Sequence, residues 1–147
     1  MKIAINKISS PKELQDCLNI RLEVFVKGQK VSVEEEVDGR DPESEHYLLK
    51  VDEQPVGVAR VRYMEKDAKI ERVAILDAFQ NKGLGRHLMC AILDDLKQNK
   101  ELENARLGSQ THAIPFYERL GFIVCSNEYM DAGIPHKDMY YAFDRAS

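Results

Sequence analysis

This chain of 147 residues predicts an α/β fold in which helices flank a mixed sheet. The evidence is in its hydrophobic periodicity. The repeat switches between two and about 3.6 along the chain, strand-like runs follow one another without a helix between His46 and Leu76, and helices and strands alternate after that. Strict βα alternation is thereby excluded, which leaves a mixed sheet.

Lys2 to Ile8 alternates as a first strand. Ser9-Ser10-Pro11 followed by Glu13 is a capping signal, and it opens a helix to about Val26 with Leu14, Leu18, Leu22 and Phe25 on one face. Gly28 to Glu45 is acidic and irregular. His46 to Val51 and Pro55 to Tyr63 form a hairpin around Asp52-Glu53-Gln54, and Lys69 to Leu76 is the next strand. Gly83 to about Asn99 is the strongest helix, with Leu84, Leu88, Ala91, Ile92 and Leu96 in phase. A strand at Ala105 to Ser109 follows, then a helix at Ala113 to Leu120 closed by Gly121. Strands at Phe122 to Cys125 and near Met139 to Phe143 complete the order. Without repeats or low-complexity linkers, residues 1–147 read as one domain.

A chain of this length buries about 68–70% of its unfolded surface, so neither metal nor disulfide is needed as a staple. With 44% hydrophobic and 31% charged residues the composition is that of a globular protein. The net charge of -4 argues against a nucleic-acid partner, which calls for a basic face. The polar start and the lack of a long apolar run predict a cytoplasmic protein with no membrane partner. Cys17, Cys90 and Cys125 have no metal-ligand spacing and read as reduced, buried small hydrophobes; no metal is expected.

The chemistry concentrates in Glu71 to Met89, where a β-branched strand runs into a turn with Gly83 and Gly85 and then a helix. A helix start presents free N–H groups and the positive end of the helix dipole to an anion, and Lys82 and Arg86 add charge. The Walker pattern is missing, and Gly83-Leu84-Gly85-Arg86-His87-Leu88 lacks the third glycine of a dinucleotide fingerprint. What remains is Gln80-Asn81-Lys82-Gly83-Leu84-Gly85, which fits [Q/R]-x-x-G-x-[G/A].

With that signature, the strand Glu71 to Leu76 and the downstream element Ala113 to Phe122, the chain resembles the GNAT superfamily of N-acetyltransferases. The stretches RLEVFVKGQKVSVEEEVD and DAGIPHKDM are similar to its YjcF/ElaA-like bacterial subgroup. The resemblance implies the GNAT fold: a central mixed, mostly antiparallel twisted sheet of about six to seven strands with about four flanking helices. It implies acetyl-CoA as cosubstrate, its pyrophosphate on the amides of Gln80, Asn81, Lys82, Gly83, Leu84, Gly85 and Arg86. Its pantetheine would lie along Arg72, Val73, Ala74 and Ile75, with the Val73 N–H as oxyanion donor.

The implied reaction is attack of a neutral primary amine, on a small molecule or peptide, at the thioester carbon. A lysine-like amine with a pKa of about 10.4 must first lose a proton. Glu71 is the first candidate base, with Glu34, Glu35 and Glu36 behind it; Tyr117 is the acid toward the leaving thiolate, and Phe116 lies beside it at the cofactor. His46, His87 and His112 read as hydrogen-bonded or surface residues, whereas His136 in Gly133-Ile134-Pro135-His136 is a candidate to face the acceptor. The acidic stretch Glu34 to Asp38, with Asp41, Glu43 and Glu45, either attracts a cationic amine or is solvated surface. A non-catalytic coenzyme A or acyl-CoA module, or transfer of a different acyl group, stays open, and so does a homodimer.

Overall fold

The computed structural model describes residues 1–145. Its strands are β1 (Ile3–Lys7), β2 (Glu45–Val51), β3 (Gln54–Met64), β4 (Asp67–Ile75), β5 (Asn104–Gln110), β6 (Ile123–Val124), β7 (Tyr129–Asp131) and β8 (Ile134–Ala142). Its α-helices are α1 (Pro11–Arg21), α2 (Val33–Glu36), α3 (Leu84–Lys97) and α4 (Ile114–Arg119). The sheet runs β1-β2-β3-β4-β5-β8-β6, with β7 also on β8. β4 and β5 are parallel, and every other pairing is antiparallel. The mixed, mostly antiparallel architecture that the resemblance implies is therefore present, with one strand beyond the expected number. The additional strand is β7, which pairs with the early part of β8 through the Asp131-Ala132-Gly133-Ile134 turn. The last strand thus begins at Ile134 rather than near Met139; the exposed residues of β7 show no alternation by which a sequence could announce it.

Alternation along β2 distributes its side chains to two layers. Tyr47, Leu49 and Val51 pack with Leu84, Leu88, Ile92 and Leu96 of α3, while Leu48 points to the other face, where Cys17 and Ile20 of α1 meet Val58 and Ala74. Ser10 caps α1 by accepting from the Glu13 N–H, and Pro11 occupies its first turn, as the capping signal predicts. The buried face of this helix differs from the expected one. Cys17, Ile20 and Arg21 are inside and Leu22 is exposed, Cys17 and Ile20 lying against Leu48, Val58 and Ala74; a π-helical segment, Leu22–Gly28, follows the regular turns.

Gly28 to Glu45 is also more ordered than expected, since α2 and a 3₁₀ turn at Asp41–Glu43 lie within it. Of the cysteines, Cys17 is buried, Cys90 half-buried and Cys125 exposed, so the reading of all three as buried hydrophobes fails at Cys125. That residue follows the short edge strand β6, where little covers it.

The corrected face of α1 is testable by chemical denaturation. Ile20→Ala should cost about 2–5 kcal/mol, as for other buried Ile-to-Ala changes, whereas Leu22→Ala should stay within about 0.5 kcal/mol. Equal costs would restore the face with Leu22 inside.

Candidate active site

β4 and β5 pair only at Asp67–Asn104, Ala68–Ala105 and Lys69–Arg106, although both strands continue. The cause of their separation is a bulge. Between the pairs Arg60–Glu71 and Val58–Ala74, β3 has one residue and β4 has two, and Arg72 takes the left-handed conformation at φ 54°. An extra residue bends the strand and reverses its facing parity, so Glu71 and Ala74 share a sheet face while Val73 and Ile75 join the opposite core. A cleft of about 300 Å³ opens where β4 leaves β5, lined by the β4 edge from Lys69 to Ile75, by Leu107 to Gln110 of β5, and by Gln80, Tyr117 and His136. Among the described residues, no strand pairs with the backbone of β4 beyond Lys69 on this edge, which leaves it to pair with a ligand.

α3 begins just past the end of β4. Gly83 is its N-cap with φ 77°, a conformation that suits glycine, and no side chain caps the helix. The first intrahelical bond runs from the His87 N–H to the Gly83 carbonyl, so the N–H groups of Leu84, Gly85 and Arg86 have no partner within the helix. A Cβ on Gly83 would have nothing within 4 Å, and one on Gly85 would stand 3.4 Å from the Phe116 ring, which places α4 against the turn. Asn81 and Lys82 are exposed beside it, as is Arg86. Gln80 is committed differently from expectation: its N–H donates to the Asp77 carbonyl and its Nε2 to the Ile75 carbonyl at 3.1 Å. Its visible role is to tie the turn to the end of β4.

Tyr117 faces the cleft from α4, packed edge-on against Phe116 at 5.0 Å and Phe122 at 5.9 Å between ring centroids. Burial alone pushes its hydroxyl up to about 12, so the phenol stays protonated across the physiological range.

A family model described as an acetyltransferase (GNAT) domain matches residues 10–143. The chain belongs to the GNAT acetyltransferase family. It is 39% identical over 140 residues to the uncharacterized N-acetyltransferase YjcF of Bacillus subtilis (strain 168), covering 95% of this chain and 98% of that one. The crystal structure of Escherichia coli ElaA superposes with a TM-score of 0.86 at 26% identity, over 95% and 99% of the two chains. A GNAT acetyltransferase from Elizabethkingia anophelis with acetyl-CoA bound shares the fold, with a TM-score of 0.72 at 18% identity over 95% and 97%. The activity that family membership carries is acyl transfer from an acyl-CoA.

On this GNAT frame the acidic stretch is neither free nor merely solvated. Arg60, fully buried on β3, donates to both oxygens of Asp38 at 2.8 and 2.9 Å, to Asp41 at 3.1 Å and to Glu71 at 3.0 Å. Arg21 of α1 pairs with Glu36 at 2.6 Å and with Asp41 at 2.8 Å. Arg72 Nε lies 2.8 Å from Glu36 Oε2 without hydrogen-bond alignment, and its NH2 donates to the Glu35 and Glu36 carbonyls at 3.2 Å. Arg62 completes the set by donating to Glu71.

Glu71 does reach the cleft, but burial, which would raise its pKa, is outweighed by Arg62 and Arg60, and the carboxyl is held below the usual range. A carboxylate so stabilised is a weak proton acceptor. Glu34 and Glu35 remain exposed, whereas Glu36 is buried in the network. The sequence reading missed Arg21, Arg60 and Arg62, because nothing in a chain with 21 basic and 25 acidic residues says which of them meet.

Arg60 also lowers Asp38 through its hydrogen bonds against opposing burial, and at Asp41 the burial that would raise the pKa is outweighed by Arg21 and Arg60. Carboxyls depressed in the folded state contribute stability that is fully present above their unfolded pKa of about 4 and is lost as pH falls. Denaturation series should therefore show a plateau above about pH 5 and a decline below about pH 4. Arg60→Met should lose about 3–5 kcal/mol at neutral pH by stranding buried carboxylates, and its acid decline should be shallower.

Proposed function

We propose that this protein moves an acetyl group from acetyl-CoA to a primary amine of a small molecule or peptide, by direct attack within a ternary complex. The observation that carries this reading is the cleft between β4 and β5, with the uncapped start of α3 just past the end of β4. The residues present suit the cosubstrate. The free edge at Val73 and Ile75 offers N–H and C=O groups to the amides of pantetheine as an added strand does. The N–H groups of Leu84, Gly85 and Arg86 would receive the pyrophosphate, with the bare Gly83 leaving room for it. That a protein of this fold from Elizabethkingia anophelis has been solved with acetyl-CoA bound is in keeping with acetyl-CoA as the cosubstrate.

When bound, acetyl-CoA supplies the acyl group as a thioester. The Val73 N–H is the donor proposed to meet the thioester oxygen as it gains charge, without reorganising. The phenol of Tyr117 stands far above a thiol pKa of about 8.5, so full transfer of its proton to the leaving sulfur is uphill. Its contribution is a hydrogen bond that stabilises the thiolate until a proton arrives. Glu36 and Glu71 are compensated by Arg72 and Arg60, while Glu35, Asp131 and Lys69 also line the cleft.

Acetyl-CoA at 100 times its dissociation constant should stabilise the protein by about 2.7 kcal/mol in a thermal-shift assay. Gly83→Val should weaken that shift by blocking the approach to the helix start. With a panel of amino acids, amino sugars, peptides and polyamines, free thiol should appear, and Tyr117→Phe should lower kcat at least about tenfold while keeping the acetyl-CoA shift. Binding without thiol release from any amine would identify a coenzyme-binding module instead; absence of any shift would end the acetyl-CoA reading.

A further inference from the structure

We propose that His136 is the proton acceptor of the reaction, taking the proton of the acceptor amine on Nε2; this rests on the acetyl-transfer reading above. His136 lies on β8, 9% exposed, and lines the same cleft as Tyr117 and Val73. Its Nδ1 is 2.7 Å from the carbonyl oxygen of Ile134. A carbonyl can only accept, so Nδ1 carries the proton of the neutral ring and Nε2 is left with its lone pair.

The ring is also held in place. Tyr129 of β7 stacks on it, with centroids 6.0 Å apart and planes 23° apart, and the Tyr129 hydroxyl donates to Asp138 Oδ1 at 2.5 Å. The neighbouring strand makes room for this arrangement: a Cβ at Gly108 of β5 would stand 2.5 Å from the Tyr129 oxygen, so a side chain there would displace the Tyr129 hydroxyl. Gly108, Tyr129, Asp138 and the Ile134 carbonyl together set the orientation and tautomer of one imidazole, a supporting shell of the kind that fixes a working base.

Other groups share this region of the cleft. Tyr129 and Asp131 come from β7, Gln110 pairs with His136 from β5 and is uncharged, Glu71 from β4 is neutralised by two arginines, and His112 is exposed at the turn before α4. An imidazole whose Nε2 keeps its lone pair is a better proton acceptor than a carboxylate held low by two arginines. In the step, the amine lone pair forms the C–N bond to the acetyl carbon and the C–S bond breaks with its electron pair moving to sulfur. The amine proton passes to Nε2 and from there through solvent to the thiolate, which Tyr117 stabilises meanwhile. Amide and free thiol are the products.

Wild type, His136→Gln, His112→Gln and Tyr129→Phe are to be compared with acetyl-CoA and the amine of the panel that turns over fastest. His136→Gln should reduce kcat/KM by about 10²-fold or more, keep the wild-type acetyl-CoA thermal shift, and remove the acidic limb of the pH–rate profile. Tyr129→Phe should lose less, and His112→Gln should stay within about twofold. Nitrogen NMR of histidine-labelled wild type should report the Nδ1–H tautomer at His136, a readout that needs no acceptor. An Nε2–H tautomer, or His136→Gln with full turnover and an unchanged acidic limb, would overturn the assignment while leaving acetyl transfer intact. Failure of wild type to bind acetyl-CoA would instead remove the reading on which it rests.

Discussion

The arginine cluster on one face of the sheet is the constraint on which the site depends. Arg60 is fully buried, and it is stable there only because Asp38, Asp41 and Glu71 surround it. Two of those carboxylates come from the connection between α1 and β2 and one from β4, so the ion pairs bind a loop to the sheet as well as charge to charge. Replacing such a network with apolar residues can be neutral or stabilising, so its value lies less in net stability than in the arrangement it specifies.

That arrangement includes the bulge. Left-handed backbone at a non-glycine residue costs about 1–2 kcal/mol, and Arg72 adopts it in the middle of β4. The same residue places its guanidinium against Glu36 and the carbonyls of Glu35 and Glu36, interactions that offset the strain. Because the strand bends there, β4 parts from β5 and its edge is exposed to a ligand. A surface that looks purely structural on one face of the sheet thus makes the cleft on its edge, and in doing so makes Glu71 a weaker proton acceptor.

Some of this was legible beforehand and some was not. The strong helix α3 and the turn before it were readable because helical periodicity, a glycine at the cap and the signature residues are local. The burial of Leu84, Leu88, Ile92 and Leu96 follows from spacing alone. By contrast Gln80 matched a signature yet spends its amide within the turn, and the buried face of α1 includes an arginine that only its pairing with Glu36 and Asp41, distant in the chain, allows inside. β7 escaped notice because three exposed residues carry no alternation, and Tyr129 with it.

From its sequence alone the chain determined its fold class and the turn that offers free N–H groups, through local patterns that neighbouring residues enforce, while its resemblance to a family pointed to Tyr117 as a site residue. Only the tertiary structure decided where the sheet opens, which charges neutralise one another, and which nitrogen of His136 keeps its lone pair. Those outcomes depend on groups far apart in the chain, such as Arg60 with Asp38 and Glu71, or Gly108 with Tyr129, meeting within a few ångströms. Pairings of that kind leave no periodic trace, since any of many charges or aromatic rings satisfies the same composition until folding selects one.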